Sequence, residues 1–294
     1  MTLRLIATDM DGTLLNDTEK SFDREQFDRV LTELAARDIR LVIASGNQYK
    51  KLRHYMEGFH GRGIFYIAEN GGYIADDDGD ILISGFDART VQKIVAVLDQ
   101  FPEIGFIISA HGGAYLMRNR AEPISRMIRA HLDFLGAEVD EEVDYLSFIN
   151  RFYPGTRLID SLSELGDDTV VKFALQTRQE DIHRLLQELM DLLPANVVPV
   201  ASGFGAIDLI SRGVNKGSAL KWVGEKMGIA PEEMMAFGDN SNDLEMLQYV
   251  GEGVAVSNAV PQVRAAADVV IGNNNDGAVL DYIESKLAAE KSVS

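Results

Sequence analysis

The chain has 294 residues and a formal charge of −18, an acidity that repels nucleic-acid phosphates and anionic lipid alike. It contains no cysteine, so disulfides, zinc–thiolate sites and thiol nucleophiles are excluded. No run approaches the roughly 20 apolar residues of a membrane span, and 46% hydrophobic with 25% charged residues is the balance of a soluble globular protein. Met1–Ala7 lacks a secretory core and runs straight into apolar sequence, which makes the cytoplasm the expected location. The charge leaves the oligomeric state unspecified, and it would also repel a phosphorylated ligand. Any phosphate site therefore needs local compensation from a metal, a lysine or backbone donors.

Leu3 to Thr8 reads as a buried strand, and Phe27, Val30, Leu31 and Leu34 then recur at helical spacing. Leu41 to Ala44 and Ile64 to Ala68 are further strands, separated by a short helix. Strand–helix–strand alternation of this kind predicts an α/β fold, a doubly wound parallel sheet with helices on both faces. Tyr73 to Ala75 and Asp80 to Ile83 flank Asp76-Asp77-Asp78-Gly79. That acidic cluster reads as a hairpin turn and not as a calcium loop, since no glycine stands at its sixth position.

Val91, Ile94, Val95 and Leu98 mark a helix, Ile104 to Ser109 a strand, and Ile124 to Leu135 a second helix. Val170 to Leu175 is a strand and Ile182 to Leu193 a third helix. The earlier alternation resumes after about residue 203. Ala206 to Ile210, Met234 to Phe237 and Gly253 to Val256 are strands, while Lys216 to Met227, Asp243 to Tyr249 and Gly277 to Leu287 are helices. Residues 85–202 are therefore expected to form an inserted domain.

Chemistry concentrates at strand ends. Asp9-Met10-Asp11-Gly12-Thr13 closes the first strand, at the edge where open parallel sheets bind ligands. Two carboxylates two residues apart can divide labour, one attacking phosphorus while the other handles protons. Alone, such a pair reads equally as an acidic turn. A dinucleotide site fits poorly, because no glycine-rich fingerprint follows the strand. Gly238-Asp239-Asn240-Ser241-Asn242-Asp243 closes another strand, and its hard oxygens could share one Mg²⁺ with the first cluster. A helix N-terminus capped by Asn242 or Ser241 is compatible with that reading. Ser45-Gly46 offers a hydroxyl and a backbone N–H to phosphate oxygens, and Lys216 opens a helix where its ammonium could neutralise phosphate and nucleophile.

These four elements resemble the motifs of the haloacid dehalogenase superfamily: Asp9-Met10-Asp11-Gly12-Thr13 the first, Ser45 the second, Lys216 the third, and Gly238-Asp239 through Asp243 the fourth. The insert is similar to the α/β cap of the Cof-type branch, as are Asn70-Gly71-Gly72 and the Gly277 loop. Ala44-Ser45-Gly46-Asn47-Gln48 and Ser202-Gly203-Phe204-Gly205 look most like the bacterial sugar phosphatases, although many Cof-type relatives carry arginine where Asn47 stands. The resemblance implies a Rossmann-like core over residues 1–84 and 203–294, with a substrate-selecting α/β cap over 85–202.

It also implies a mechanism. Asp9 attacks phosphorus and becomes an aspartyl-phosphate, while Asp11 protonates the leaving alcohol and then takes a proton from water. Mg²⁺ is held by Asp9, the Asp11 carbonyl and Asp239, with Asp243 ordering the metal shell. Ser45, Gly46, Lys216 and Asn242 hold the phosphoryl oxygens. The expected activity is hydrolysis of a small phosphate ester, with neither nucleic acid nor membrane as a partner, and sugar phosphates are the first candidates. A phosphomutase of the same superfamily is the nearest alternative, and a phospho-receiver a more distant one. Among the histidines, His54, His60, His131 and His183 read as surface or packing residues. His111, beside Gly112-Gly113, and Lys172, within a strand, are candidates for substrate selection. Trp222 reads as packing.

Overall fold

The computed structural model describes residues 3–134, 145–203 and 205–291. They form two compact units, Met1–Leu82 with Val214–Ser294, and Ile83–Gly213.

In the first unit, strand β1 (Leu5–Thr8) is buried along its whole length. An apolar run without alternation suits a strand covered on both faces. Helix α1 (Arg24–Ala36) begins where the Asp23 carboxylate accepts from the backbone N–H groups of Glu25 and Gln26, and it buries Phe27, Val30, Leu31 and Leu34. Then follow β2 (Arg40–Ala44), α2 (Tyr49–Tyr55), β3 (Ile64–Ala68), β4 (Tyr73–Asp76) and β5 (Gly79–Ile83). The acidic turn between β4 and β5 satisfies itself: Asp76 Oδ1 accepts from the N–H groups of Asp78 and Gly79, and Asp77 pairs with Arg53 at 3.0 Å.

The second unit comprises α3 (Ala88–Leu98), β6 (Gly105–Ala110), β7 (Gly113–Met117), α4 (Ala121–Phe134), α5 (Tyr145–Phe152), β8 (Arg157–Ile159), β9 (Val170–Gln176), α6 (Ile182–Leu192), β10 (Val197–Gly203) and β11 (Ala206–Ser211). Its six-stranded sheet runs β10-β11-β9-β6-β7-β8. Side chains alternate between faces. Phe106, Ile108, Phe173, Leu175, Ile207 and Leu209 pack with apolar residues of α3 and α6, whereas Ile107, Leu116 and Ala174 pack with Ala121, Ile124 and Ile149. Leu135, expected in the helix ending at α4, and Phe204 lie outside the described residues, as does the side chain of His131.

The structure differs from the expected boundary at residue 203. β11 was expected in the core, but Ala206–Leu209 pair antiparallel with Phe173–Gln176 of β9, and the other edge of β11 pairs with β10. Backbone hydrogen bonding, which the apolar pattern of a strand does not encode, places 203–213 in the second unit.

Lys172 and Asp208 lie on the sheet face opposite Phe173 and Ile207, only 2% and 3% exposed, with 3.5 Å between Nζ and Oδ2. Removing one member of a buried pair strands the other charge. Lys172→Met should therefore cost about 3–5 kcal/mol. Replacing Asp208 by leucine in the same chain should recover most of that loss, as measured by urea unfolding.

The chain returns to the first unit through α7 (Lys216–Met227), β12 (Met234–Gly238), α8 (Leu244–Tyr249), β13 (Glu252–Ala255), α9 (Pro261–Ala266), β14 (Val269–Val270) and α10 (Ala278–Lys291). The eight-stranded sheet runs β14-β13-β12-β1-β2-β3-β4-β5. The pairings from β14 through to β3 are parallel, and β4 reverses against β3. From β1 the chain winds outward one way through β2 and β3, and later the other way through β12 and β13. The carboxyl ends of β12, β1 and β2 thus stand side by side at the switch point. Among the described residues no helix is long and apolar enough to cross a membrane.

Candidate active site

Asp9 follows the last residue of β1, between the end of β12 that carries Asp239 and the end of β2 that carries Ser45. It is 5% exposed, and its Oδ1 accepts from Lys216 Nζ at 2.6 Å. Lys216 is the first residue of α7, which is capped by Asn215 accepting from Ser218 N–H; its ammonium is 1% exposed and also reaches Asp243 Oδ1 at 2.6 Å. Burial alone would lower the lysine's affinity for its proton. The charges of Asp243 and Asp9 outweigh burial and hold it above the ordinary value.

The carboxylates are crowded. Asp9, Asp239 and Asp243 each offer an oxygen within 4.8 Å of the others. Burial, then the charges of Asp243 and Asp239, push the Asp9 carboxyl well above the usual range despite Lys216. Asp239 is pushed up to about 6, first by burial and then by Asp243, although Thr13 Oγ1 donates to its Oδ1 at 2.9 Å. One buried lysine does not neutralise this set. Hard oxygens short of positive charge suit a small divalent cation such as Mg²⁺. Asp243 has little to spare for it: Oδ1 takes the lysine, and Oδ2 accepts from the N–H groups of Asp239 and Asn240, both at 3.0 Å. Its work here is to hold the lysine and the β12 strand end in place.

Two glycines permit the close approach of these loops. Gly12 has φ +78°, and a Cβ there would stand 2.6 Å from Asp239 Oδ2. Gly71 has φ +100°, and a Cβ would stand 2.4 Å from the backbone oxygen of Asn215, immediately before Lys216. Either substitution would push a carboxylate or the lysine out of position. Beside Gly71, Asn70 adopts φ +56° and accepts from Asn242 Nδ2 at 2.9 Å, so the β3 exit is tied to the loop after β12.

The sequence matches the haloacid dehalogenase-like hydrolases over residues 6–283. The chain belongs to that family. It is 32% identical to the 5-amino-6-(5-phospho-D-ribitylamino)uracil phosphatase YbjI of Escherichia coli (strain K12), over 99% of this chain and 98% of that protein. It is 27% identical to the HMP-PP phosphatase of Enterobacter sp. (strain 638), over 95% of this chain and 94% of that one. The crystal structure of SMU.1108c from Streptococcus mutans UA159 superposes with a TM-score of 0.83 at 30% identity, covering 98% of this chain and 100% of that one. The haloacid dehalogenase-like fold and a phosphoric monoester hydrolase activity on small phosphorylated compounds follow for this chain.

Asp9, Lys216, Asp239 and Asp243 come together. Ser45 is 2% exposed, with its Oγ accepting from Asn47 N–H at 3.1 Å; Gly46 faces Asn70, and Asn242 reaches the same asparagine. Asp11 stands beside the trio and not within it. Its half-buried carboxylate lies outside the crowded trio and accepts from Asn47 Nδ2 at 2.5 Å, with Lys20 Nζ 3.9 Å from its other oxygen. The sequence alone assigns no role to Thr13, Lys20 or Lys51, and marks Asn47 only as standing where many Cof-type relatives carry arginine. Thr13 is two residues past Asp11, although the carboxylate it serves is Asp239, and Asn47 is two residues past Ser45, which were the available signals. In the second unit, Lys172 is committed to Asp208, while His111 is exposed beside the β6–β7 turn with its N–H donating to Thr169 O.

Proposed function

We propose that this chain is a Mg²⁺-dependent phosphatase of small metabolites, sugar phosphates foremost, working through an aspartyl-phosphate on Asp9. The observation that carries the reading is a buried carboxylate at the carboxyl end of the central strand, clamped by Lys216 and crowded by Asp239 and Asp243. A carboxylate approaches a phosphate dianion only where cations cancel the repulsion, and every element of this site bears on that problem. The 32% identical relative is named for a phosphoribityl compound, which favours an ester of a sugar-type alcohol.

Asp9, Asp239 and the Asp11 carbonyl would hold the metal, and Asp243 would fix the frame around them. Bound there, Mg²⁺ supplies charge neutralisation of the phosphoryl oxygens. Lys216 holds Asp9 in the direction of attack and shares in neutralising the incoming charge. Ser45, Gly46 and Asn242 orient the phosphoryl group. An Asp9 oxygen bonds to phosphorus as the ester P–O bond breaks, and Asp11 delivers a proton to the departing alkoxide. Asp11 then takes a proton from water, whose oxygen attacks phosphorus, and the P–O bond to Asp9 breaks to release phosphate.

Chelation should abolish phosphate release and Mg²⁺ should restore it; full turnover in excess chelator would exclude the metal assignment. Added Mg²⁺ should also raise the thermal midpoint, because it relieves the crowding of the carboxylates. Release of inorganic phosphate, and not an isomeric sugar phosphate, separates hydrolysis from mutase chemistry.

The second unit, 83–213, is proposed to select the substrate. His111→Ala should then change the ratio of kcat/KM between sugar phosphates by several-fold, on the scale of one lost polar contact, and leave nitrophenyl phosphate hydrolysis intact. Equal losses on all substrates would count against a selecting role.

A further inference from the structure

Beyond the nucleophile and its crowded carboxylates, a chain of polar side chains surrounds Asp11. Its carboxylate is 41% exposed and, among the described residues, its one close hydrogen-bond donor is the amide of Asn47 at 2.5 Å. A half-exposed aspartate has several staggered rotamers open to it, and misplacing a reacting group by about 1 Å costs on the order of 10²-fold in rate. Something must hold it, and packing does not.

Asn47 is itself held at three points. Its backbone N–H donates to Ser45 Oγ at 3.1 Å, its carbonyl accepts from Glu69 N–H at 3.0 Å, and its side-chain Oδ1 accepts from Lys51 Nζ at 2.9 Å. The last contact fixes the sense of the amide. An ammonium only donates, so it takes the oxygen end of Asn47 and turns the N–H₂ end to Asp11, whose Oδ2 accepts. Donation therefore runs in one direction, from Lys51 to Asn47 to Asp11. Tyr55 is one turn further along α2 on the same face, with Lys51 Nζ 5.8 Å from its ring centroid. Burial first, and then the charge of Asp11, push the Tyr55 phenol up to about 12.

We propose that Asn47 is a positioning residue for proton transfer in this phosphatase, its amide locked by Lys51 and aiming the Asp11 carboxylate at the leaving oxygen. With Oδ2 engaged by the amide, Oδ1 is the oxygen that handles the proton. As the ester P–O bond breaks, its electron pair stays on the departing oxygen and the Asp11 proton moves to that oxygen. The proposal rests on the general-acid reading of Asp11 given above, and its test separates the two.

Asn47→Leu keeps the volume and removes the donor. On a sugar phosphate its kcat should fall at least about tenfold, and by no more than the ~10²–10⁴ that general acid–base help is worth, with KM within about twofold of the original. The rate of the nitrophenol burst from nitrophenyl phosphate should stay close to the parent value, because that leaving group needs no proton. Lys51→Met should show the same pattern at smaller size. Adding Asn47→Leu to Asp11→Asn should cause no further loss. Equal losses on both substrates, or none on either, would overturn the positioning role. If Asp11→Asn separates the two substrates and Asn47→Leu does not, only the positioning role falls. If Asp11→Asn itself fails to separate them, the acid reading falls and takes this proposal with it.

Discussion

Asp9→Asn should extinguish turnover and leave a folded protein. An amide nitrogen or oxygen is not a competent nucleophile toward phosphorus, and losing the nucleophile of a covalent mechanism costs on the order of 10⁵-fold or more. The fold should survive for a reason visible in the site. The Asp9 carboxyl is held well above its ordinary range by burial and by Asp243 and Asp239, against the pull of Lys216. A carboxyl whose folded-state value is raised binds its proton more tightly when folded, so the folded state penalises the anion at neutral pH. A neutral amide removes that penalty, and Lys216 keeps its 2.6 Å contact with Asp243. The metal-free variant should thus unfold thermally no lower than the parent at pH 7.5. It should also acquire no phosphate adduct by intact mass. Turnover above a trace would mean that another residue attacks phosphorus.

The strand ends of the core were legible because a parallel sheet collects its carboxyl ends on one edge. Asp9, Ser45 and Asp239 each follow an apolar run, and β12, β1 and β2 turn out to be neighbours. What the sequence could not state was which sheet a strand joins. β11 has the same apolar character as a core strand, and its partners β10 and β9 are identified only by backbone pairing. β10 was hidden by Pro199, which lacks a ladder donor; the structure places it on an edge strand, where that loss is tolerated. β14 has two residues and α9 six, too short for periodicity to register. The Lys172–Asp208 pair left a trace, since each charge interrupts an apolar strand and buried charges require partners. The contact between Asn47 and Asp11 left none, because it depends on how a loop folds back across 36 positions.

Asp11→Asn should separate the two half-reactions that Asp9→Asn abolishes together. In the first, the proposed role of Asp11 is to give a proton to the departing oxygen, which matters when that oxygen belongs to a sugar alkoxide. Nitrophenolate leaves without protonation, so nitrophenyl phosphate should still phosphorylate Asp9 in the variant. In the second half-reaction water needs a base, and an amide cannot serve. The losses should lie in the ~10²–10⁴ range of general acid–base catalysis and differ between the two steps. The site favours this separation geometrically. Asp11 lies outside the crowded trio of Asp9, Asp239 and Asp243, so replacing its side chain leaves the Lys216 clamp on Asp9 undisturbed. An asparagine there still presents an oxygen to the Asn47 amide. The expected result is a stoichiometric burst of nitrophenol, with phosphate accumulating on Asp9 as a mass increase of the intact chain, and neither burst nor turnover with sugar phosphates. Parent rates on both substrates would reduce Asp11 to a structural residue, and the proton would have to come from elsewhere.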